Sequence, residues 1–409
     1  MTPERSIHPG TISRRPLAAA LAAISAAAIA TPLPVQAASA VATRAPDSVV
    51  VTNCEDSGPG SLRDAISTAV DNATIDLTQL ACSTISLTTG ALVVGQNSLV
   101  LQGPGRDRLT LDGSSNVSGS SLLYHLGFGD LDVNSMTLRN GSKYRSDGAA
   151  LGGCVHSAGN VRIVHSSILD CTASSIGNFG ALGGAVYAGG NAYVSYSTIS
   201  GSHAIARVAG YASGGAIYAQ GYVAAFSSTI ADNDVRSYSS AATFGGGIFT
   251  HDFVFVVGSS IVRNHAKRMG GIGVVNRGGR ASRISESTIA DNSADYVGGV
   301  YASGAMTIYN STIANNTATR AMTSEYSPLG VGLHIGPSSA ASMYSTIIAS
   351  NASFEDAGYD LAGDNGAQIV GSHNLVTSSK VTLPSDTLSG PVSLGGLADY
   401  GGPTPTIAL

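Results

Sequence analysis

Residues 214–234 read GGAIYAQGYVAAFSSTIADND, and close relatives of that string lie on both sides of it. Aligned on the isoleucine of the Ser-Thr-Ile triplet, the copies place Ile168, Ile199, Ile230, Ile261, Ile289, Ile313 and Ile347 at spacings of 31, 31, 31, 28, 24 and 34 residues. A second anchor runs upstream through Val155, Val186, Ile217, Ile248, Ile272, Val300 and Leu333. Seven copies of one unit at this period predict a stacked-repeat architecture.

Within a copy the apolar runs are short and partly alternating, as in 193–199, and no sustained helical period with caps is present. Each unit therefore reads as short strands and turns, which cannot bury an apolar face alone but can do so when coil stacks on coil. In such a parallel stack equivalent residues lie about 4.8 Å apart in columns, so the two anchor sets become interior ladders. Two polar columns accompany them. Ser166, Ser197, Ser228, Ser259, Ser287, Ser311 and Ser345 precede the isoleucine by two residues, and Cys171, Ser202, Asn233, Asn264, Asn292 and Asn316 follow it by three. A seven-fold serine row is the opposite of a single activated nucleophile, so both columns read as structural ladders that satisfy turn backbone.

The paired glycines with an aliphatic residue (214–217) and the STIADN stretch (228–233) resemble the right-handed parallel β-helix repeats of polymorphic outer membrane proteins, with isoleucine where those have phenylalanine. The stretch VTNCEDSGPGSLRDAI (51–66) with LTLDG (109–113) resembles the N-terminal region of exported bacterial β-helix proteins that carry a Ser-Leu-Arg-(Asp/Glu)-Ala motif. GYDLAG (358–363), SHNLV (372–376) and LADYGGPTPT (397–406) resemble the terminal region of choice-of-anchor surface proteins. These resemblances imply an all-β, right-handed parallel β-helix with an export route and a surface role. Ser61 and Asp64 are placed to cap a helix over 62–70, with Leu62, Ile66 and Val70 on one face to close the first coil.

The first 37 residues stand apart. Arg14 and Arg15 precede an apolar run over 17–30 and small residues near a cleavage point at 37–40, which predicts a signal peptide rather than a span. General or twin-arginine export both fit. The remaining organisation is a cap with the first coils (48–112), the repeats (113–352) and a terminal region (353–409), belonging either to a freely secreted chain or to a shortened anchored one. Removing Arg5, Arg14, Arg15 and Glu4 from 21 basic and 26 acidic residues leaves 18 against 25, a net of −7. No basic stripe remains for nucleic acid. The four cysteines suit two disulfides in an oxidising compartment, and proximity pairs Cys54 with Cys82 and Cys154 with Cys171.

Three sets of residues carry possible chemistry. One position after the aliphatic anchor stand His156, Tyr187, Tyr218, Phe249, Gly273, Tyr301 and His334. Strand alternation points them away from the core, either as an exposed row that stacks on sugar rings or as a ladder that stacks on itself. Four residues after the isoleucine come His203, Asp234 and His265, a metal-ligand column or a solvated one. The acidic group Glu355, Asp356, Asp360 and Asp364 offers calcium ligands or solvated loop carboxylates. The longer copies place 172–182, 203–213, 234–244 and 318–329 as outward loops.

The chain lacks the Gly-His-Gly and Arg-x-Lys motifs of β-helix glycoside hydrolases. The enzymatic alternative is a polysaccharide lyase or glycoside hydrolase acting on an acidic glycan, the lyase drawing on Arg263, Lys267, Arg268, Arg277, Arg280 and Arg283. The leading expectation is a non-catalytic scaffold at the cell surface, in the medium or in the periplasm or outer membrane. It serves adhesion or glycan contact, requires no cofactor and has no membrane span in its mature part.

Overall fold

The computed structural model describes residues 47–116, 118–238, 243–319, 330–353 and 358–408, so the proposed signal peptide lies outside the described residues. From residue 48 onward the chain winds as a parallel β-helix whose three long faces are parallel sheets of 10, 12 and 11 strands. The copy quoted above forms one coil, with Ile217–Ala219 on the first face, Val223–Phe226 on the second and Thr229–Ala231 on the third. Alternation turns Ile217, Ala219, Val223, Ala225 and Ile230 inward, where all are fully buried.

Both aliphatic anchors are rungs. Val155, Val186, Ile217, Ile248, Ile272, Val300 and Leu333 are successive Cα partners along the first face. Ile168 through Ile313 do the same on the third. The last copy departs by one residue, because Ile348, not Ile347, pairs with Ile313, and Ile347 lies beside the outward Thr312. Ser345 accordingly sits at the corner with φ 49°, and Thr346 takes the serine place, donating to the Tyr344 carbonyl at 3.0 Å. The shift brings Asn351 onto Asn316, which the polar ladder requires.

That ladder closes each coil after the third face. A residue in the left-handed region turns the chain (Asp170, Gly201, Asp232, Arg263, Asp291, Asn315 and Ser350, φ 53° to 66°), and the next residue points inward. Both the backbone N–H and the side-chain N–H of Asn233 donate to Oδ1 of Asn264, at 3.1 and 2.9 Å. Asn264 does the same to Asn292, Asn292 to Asn316 and Asn316 to Asn351. The series ends on the buried carboxylate of Asp360, which accepts both donors of Asn351 at 2.8 and 2.9 Å and is held by the hydroxyls of Thr377 and Ser378. At the preceding corner each serine N–H donates to the hydroxyl of the next coil's serine, from Ser166 to Ser311. The backbone N–H groups named at these corners thus find their acceptors in the adjacent coil, while serine hydroxyls such as Ser228 and Ser311 donate to carbonyls of their own coil.

The glycine pair has an equally local cause. Gly214 turns with φ +67°, and a Cβ on Gly215 would lie 2.1 Å from the carbonyl oxygen of Gly246 in the next coil. Only glycine permits that approach.

The opening helix forms over Leu62–Thr68, with Ser61 as N-cap accepting from the Asp64 N–H at 3.2 Å and Asp64 accepting from the Gly60 N–H at 2.9 Å. Leu62, Ala65 and Ile66 are buried against the first coils. Val70 is exposed, contrary to the expected 62–70 face, because the backbone turns extended at Ala69 and ends the helix two residues early. Disulfides join Cys54 to Cys82 and Cys154 to Cys171. Cys171 occupies the first place of the asparagine column and donates its N–H to Ser202 Oγ.

The segments expected as outward loops are mostly further strands. Ser142–Arg145, Thr172–Ser175, His203–Ala206 and Asp234–Ser237 form one four-stranded sheet, and Ala150–Leu151, Ala181–Leu182, Ala212–Ser213 and Thr243–Phe244 another. Their small residues pack a separate apolar cluster of Ala181, Ala204, Ala206, Ala212, Val235 and Ala266, so length that looked like insertion becomes a second layer. Residues 239–242 and 320–329 of the expected loops lie outside the described residues. Near the end, Leu397–Ala398 pairs antiparallel with Thr406–Ile407, and Ile407 packs on Ala231, Val262, Ala290 and Ala314 of the third face.

Asn264→Ala strips two buried donors of Asn233 of their acceptor, at about 1–3 kcal/mol each. Ile230→Ala opens a core cavity at about 2–5 kcal/mol. Urea titrations should show a large fall in midpoint for both, while Arg263→Ala, which removes an exposed ion pair with Asp232 and a weaker attraction to Asp291, should move it little.

Candidate ligand-contact faces

His156, Tyr187, Tyr218 and Phe249 are register partners on the first face and form one stack that Tyr124 extends at the N-terminal end. Centroid spacings are 4.5, 5.2, 5.6 and 5.7 Å. Gly273 interrupts the rings, and Tyr301 and His334 stack beyond it at 5.7 Å. The column points away from the main core, yet much of it does not reach solvent. Leu182 packs on Tyr218 and Phe249, with Leu151, Phe244 and Val275 beside them. Tyr218, Phe249 and His334 are 4%, 5% and 2% exposed, while His156, Tyr187 and Tyr301 are half-buried. The second layer roofs what alternation alone placed at the surface.

Burial governs the chemistry of this ladder. It pulls the His156 imidazole down to about 4, helped by the positive charge of Lys143 and by His125. It lowers His334 as well, opposed by Asp364, whose Oδ1 lies 3.2 Å from Nε2. The Gly330 N–H donates to His334 Nδ1 at 3.2 Å, so Nε2 carries the proton toward Asp364. Burial also raises the Tyr218 phenol, whose hydroxyl lies 2.8 Å from His251 Nε2.

His203, Asp234 and His265 fall in register on the side sheet. Asp234 is buried, 3.4 Å from His203 Nδ1 and ion-paired with Arg236, while His265 Nδ1 lies 2.9 Å from Ser293 Oγ. Among the described residues no group of three or more His, Cys, Asp or Glu side chains is arranged to hold a metal. Of the acidic group, Asp360 caps the asparagine ladder and Asp364 faces His334, and Glu355 and Asp356 lie outside the described residues.

The basic residues of the lyase alternative take separate surroundings. Arg263 makes a two-pronged pair with Asp232 at the third-face corner. Arg268 lies over Phe244 and Tyr296, Arg280 over Phe253 and Arg283 over Tyr309.

The second face carries a group that the anchor alignment did not single out. Its outward column runs through Asp132, Arg162, Tyr193, Ala224, Phe255, Arg283, Thr307 and Ser342. Tyr222 stacks on Phe253 at 4.8 Å beside it, and Tyr309 stacks on Tyr344 at 5.2 Å. Guanidinium groups lie over these rings, Arg162 at 5.2 Å from Tyr193 and Arg283 at 5.3 Å from Tyr309. Among the described residues no comparable layer of strands covers this belt; Phe226, Tyr344, Arg280 and Arg283 are exposed and Tyr193, Tyr222 and Phe255 half-buried. The clue in the sequence was period-two alternation between the two anchors, where copies differ most. Asp132 borders Arg162 at 3.5 Å, and burial raises its carboxyl to about 6 against the pull of that arginine.

No family model, no curated protein and no solved structure matches the chain. No helix among the described residues is long and apolar enough to cross a membrane.

A depressed histidine favours the neutral form in the fold, so the unfolded chain takes up its proton first on acidification. Stability from His156 is complete above about 6.5 and is lost as pH falls toward about 4. Asp132 acts oppositely, since its raised value lets stability fall as pH rises from 3.8 to about 6. Thermal melts across pH 4–7 should therefore show a shallower acid loss for His156→Phe than for the native chain, only partly flattened because His125 and His334 are lowered too.

Proposed function

We propose that the protein is an exported β-helix scaffold that contacts glycans at or beyond the cell surface, through the aromatic and arginine belt of its second face. The observation that carries this reading is the arrangement of Arg162, Tyr193, Phe255, Arg283, Tyr309 and Tyr344 on one open sheet face. Aromatic rings stack on the C–H faces of sugars, and guanidinium groups pair with carboxylate or sulfate in planar geometry. Export is supported by the sequence pattern of residues 1–37 and by two disulfides, which persist in oxidising compartments. The net acidity of the mature chain with local cations favours acidic polysaccharide over nucleic acid.

Binding of the mature protein to immobilised neutral and uronate-containing polysaccharides tests the reading. Tyr193→Ala and Phe255→Ala should each weaken capture of acidic glycan about tenfold, which corresponds to 1.4 kcal/mol, while Tyr187→Ala leaves it unchanged. Capture should strengthen as pH falls from 7 to 5, because protonated Asp132 no longer competes for Arg162, and Asp132→Asn should give the low-pH affinity at pH 7. Release of unsaturated products or reducing ends from a uronate polymer would replace the scaffold reading by the lyase or hydrolase one.

A further inference from the structure

At the corner where the second face turns into the third lies a cleft of about 240 Å³ lined by Arg106, His165, Tyr196, Thr198, Thr229 and Pro403, together with Ser197 and Ser227. Its floor is the pair Thr198 and Thr229, outward register partners in adjacent coils, about 4.8 Å apart as parallel strands are. One wall is the ring pair of His165 and Tyr196, stacked at 4.9 Å with planes 7° apart. The loop carrying Arg106 closes one end. The Arg106 carbonyl accepts the Thr137 hydroxyl at 2.8 Å, and its guanidinium donates to the Tyr196 carbonyl. The other end is Pro403, in the C-terminal segment tied to the third face by Thr404 to the Gly258 carbonyl, Ser260 to the Pro405 carbonyl and Thr406 to Thr288.

The rings stand at an unfavourable backbone position. His165 and Tyr196 both have φ 49°, in the left-handed region that histidine tolerates but where a tyrosine is uncommon. Elsewhere in this corner column stand Ser135, Ser227, Gly258, Glu286, Asn310 and Ser345, with a further histidine only at His373 in the terminal coils. The left-handed turn recurs in every one of these coils, but two successive coils place rings at it beside a cavity, and Tyr196 remains 51% exposed. Folding gains little from an exposed ring in that conformation, and strain of this kind collects where a ligand is held.

We propose that this cleft binds a single carboxylate-bearing sugar residue. Its volume lies below the usual range for drug-sized ligands and suits one ring. Tyr196 and His165 offer a stacking surface, Thr198 and Thr229 offer hydroxyls that both donate and accept, and Arg106 has donors beyond the one given to Tyr196 for a carboxylate. The inference does not depend on the belt, which reads extended polymer, and either reading can fail alone.

The test is calorimetric titration of the mature full chain with glucuronate and galacturonate, with methyl glucoside as neutral control and saturation-transfer NMR as a second readout. Saturable uronate binding is expected, at least tenfold tighter than the neutral sugar. Arg106→Gln should reduce it to the neutral level, Tyr196→Ala should weaken both sugars, and Tyr193→Ala on the belt should change neither. Absence of saturable uronate binding overturns the proposal. So does binding that survives Arg106→Gln and Tyr196→Ala in variants with native circular dichroism, or that is lost with Tyr193→Ala instead.

Discussion

The asparagine ladder is the constraint on which the remaining structure depends. A coil that turns through a left-handed residue directs the next backbone N–H into an apolar interior, where an unpaired donor is costly. Asn233, Asn264, Asn292, Asn316 and Asn351 answer this in one way, each supplying the acceptor for the coil before it. A bond that must reach the next coil at one height also fixes register, so a one-residue slip would leave a row of buried donors unmatched and turn every rung outward. Asp360 ends the series with a side chain that only accepts, which a last coil requires.

Register held in this way turns single outward residues into continuous surface. Rings at equivalent positions stack because parallel strands set them about 4.8 Å apart, as from Tyr124 to Phe249 on the first face and from Tyr309 to Tyr344 on the second. Coil length then decides which stacks meet solvent. The 31-residue copies have enough chain for two further strands, the second of which roofs the first face through Leu151, Leu182 and Phe244, whereas among the described residues the second face has no such layer. Repetition builds the scaffold, and differences between copies determine what the surface can hold.

The columns, the glycine pairs, both disulfides and the Ser61 cap were legible because each depends on residues close in sequence or repeated at a fixed interval. Ile347 was misplaced because Ser345, Thr346, Ile347 and Ile348 satisfy the triplet in either register, and only the demand of Asn351 for a partner separates them. Alternation correctly turned Tyr218 and Phe249 away from the main core but could not reveal Leu182 above them, a contact between the second layer and the first face. The Arg106 cleft joins residues about 300 positions apart and has no local pattern at all.

Hydrogen exchange of the backbone amides of Asn233, Asn264, Asn292 and Asn316, followed by NMR on a chain labelled at asparagine, tests the ladder most directly. The account predicts that these four exchange together and among the slowest amides of the protein, since each opens only when adjacent coils separate. Exchange as fast as that of the amide of Gly279, in the exposed turn 277–280, would contradict it.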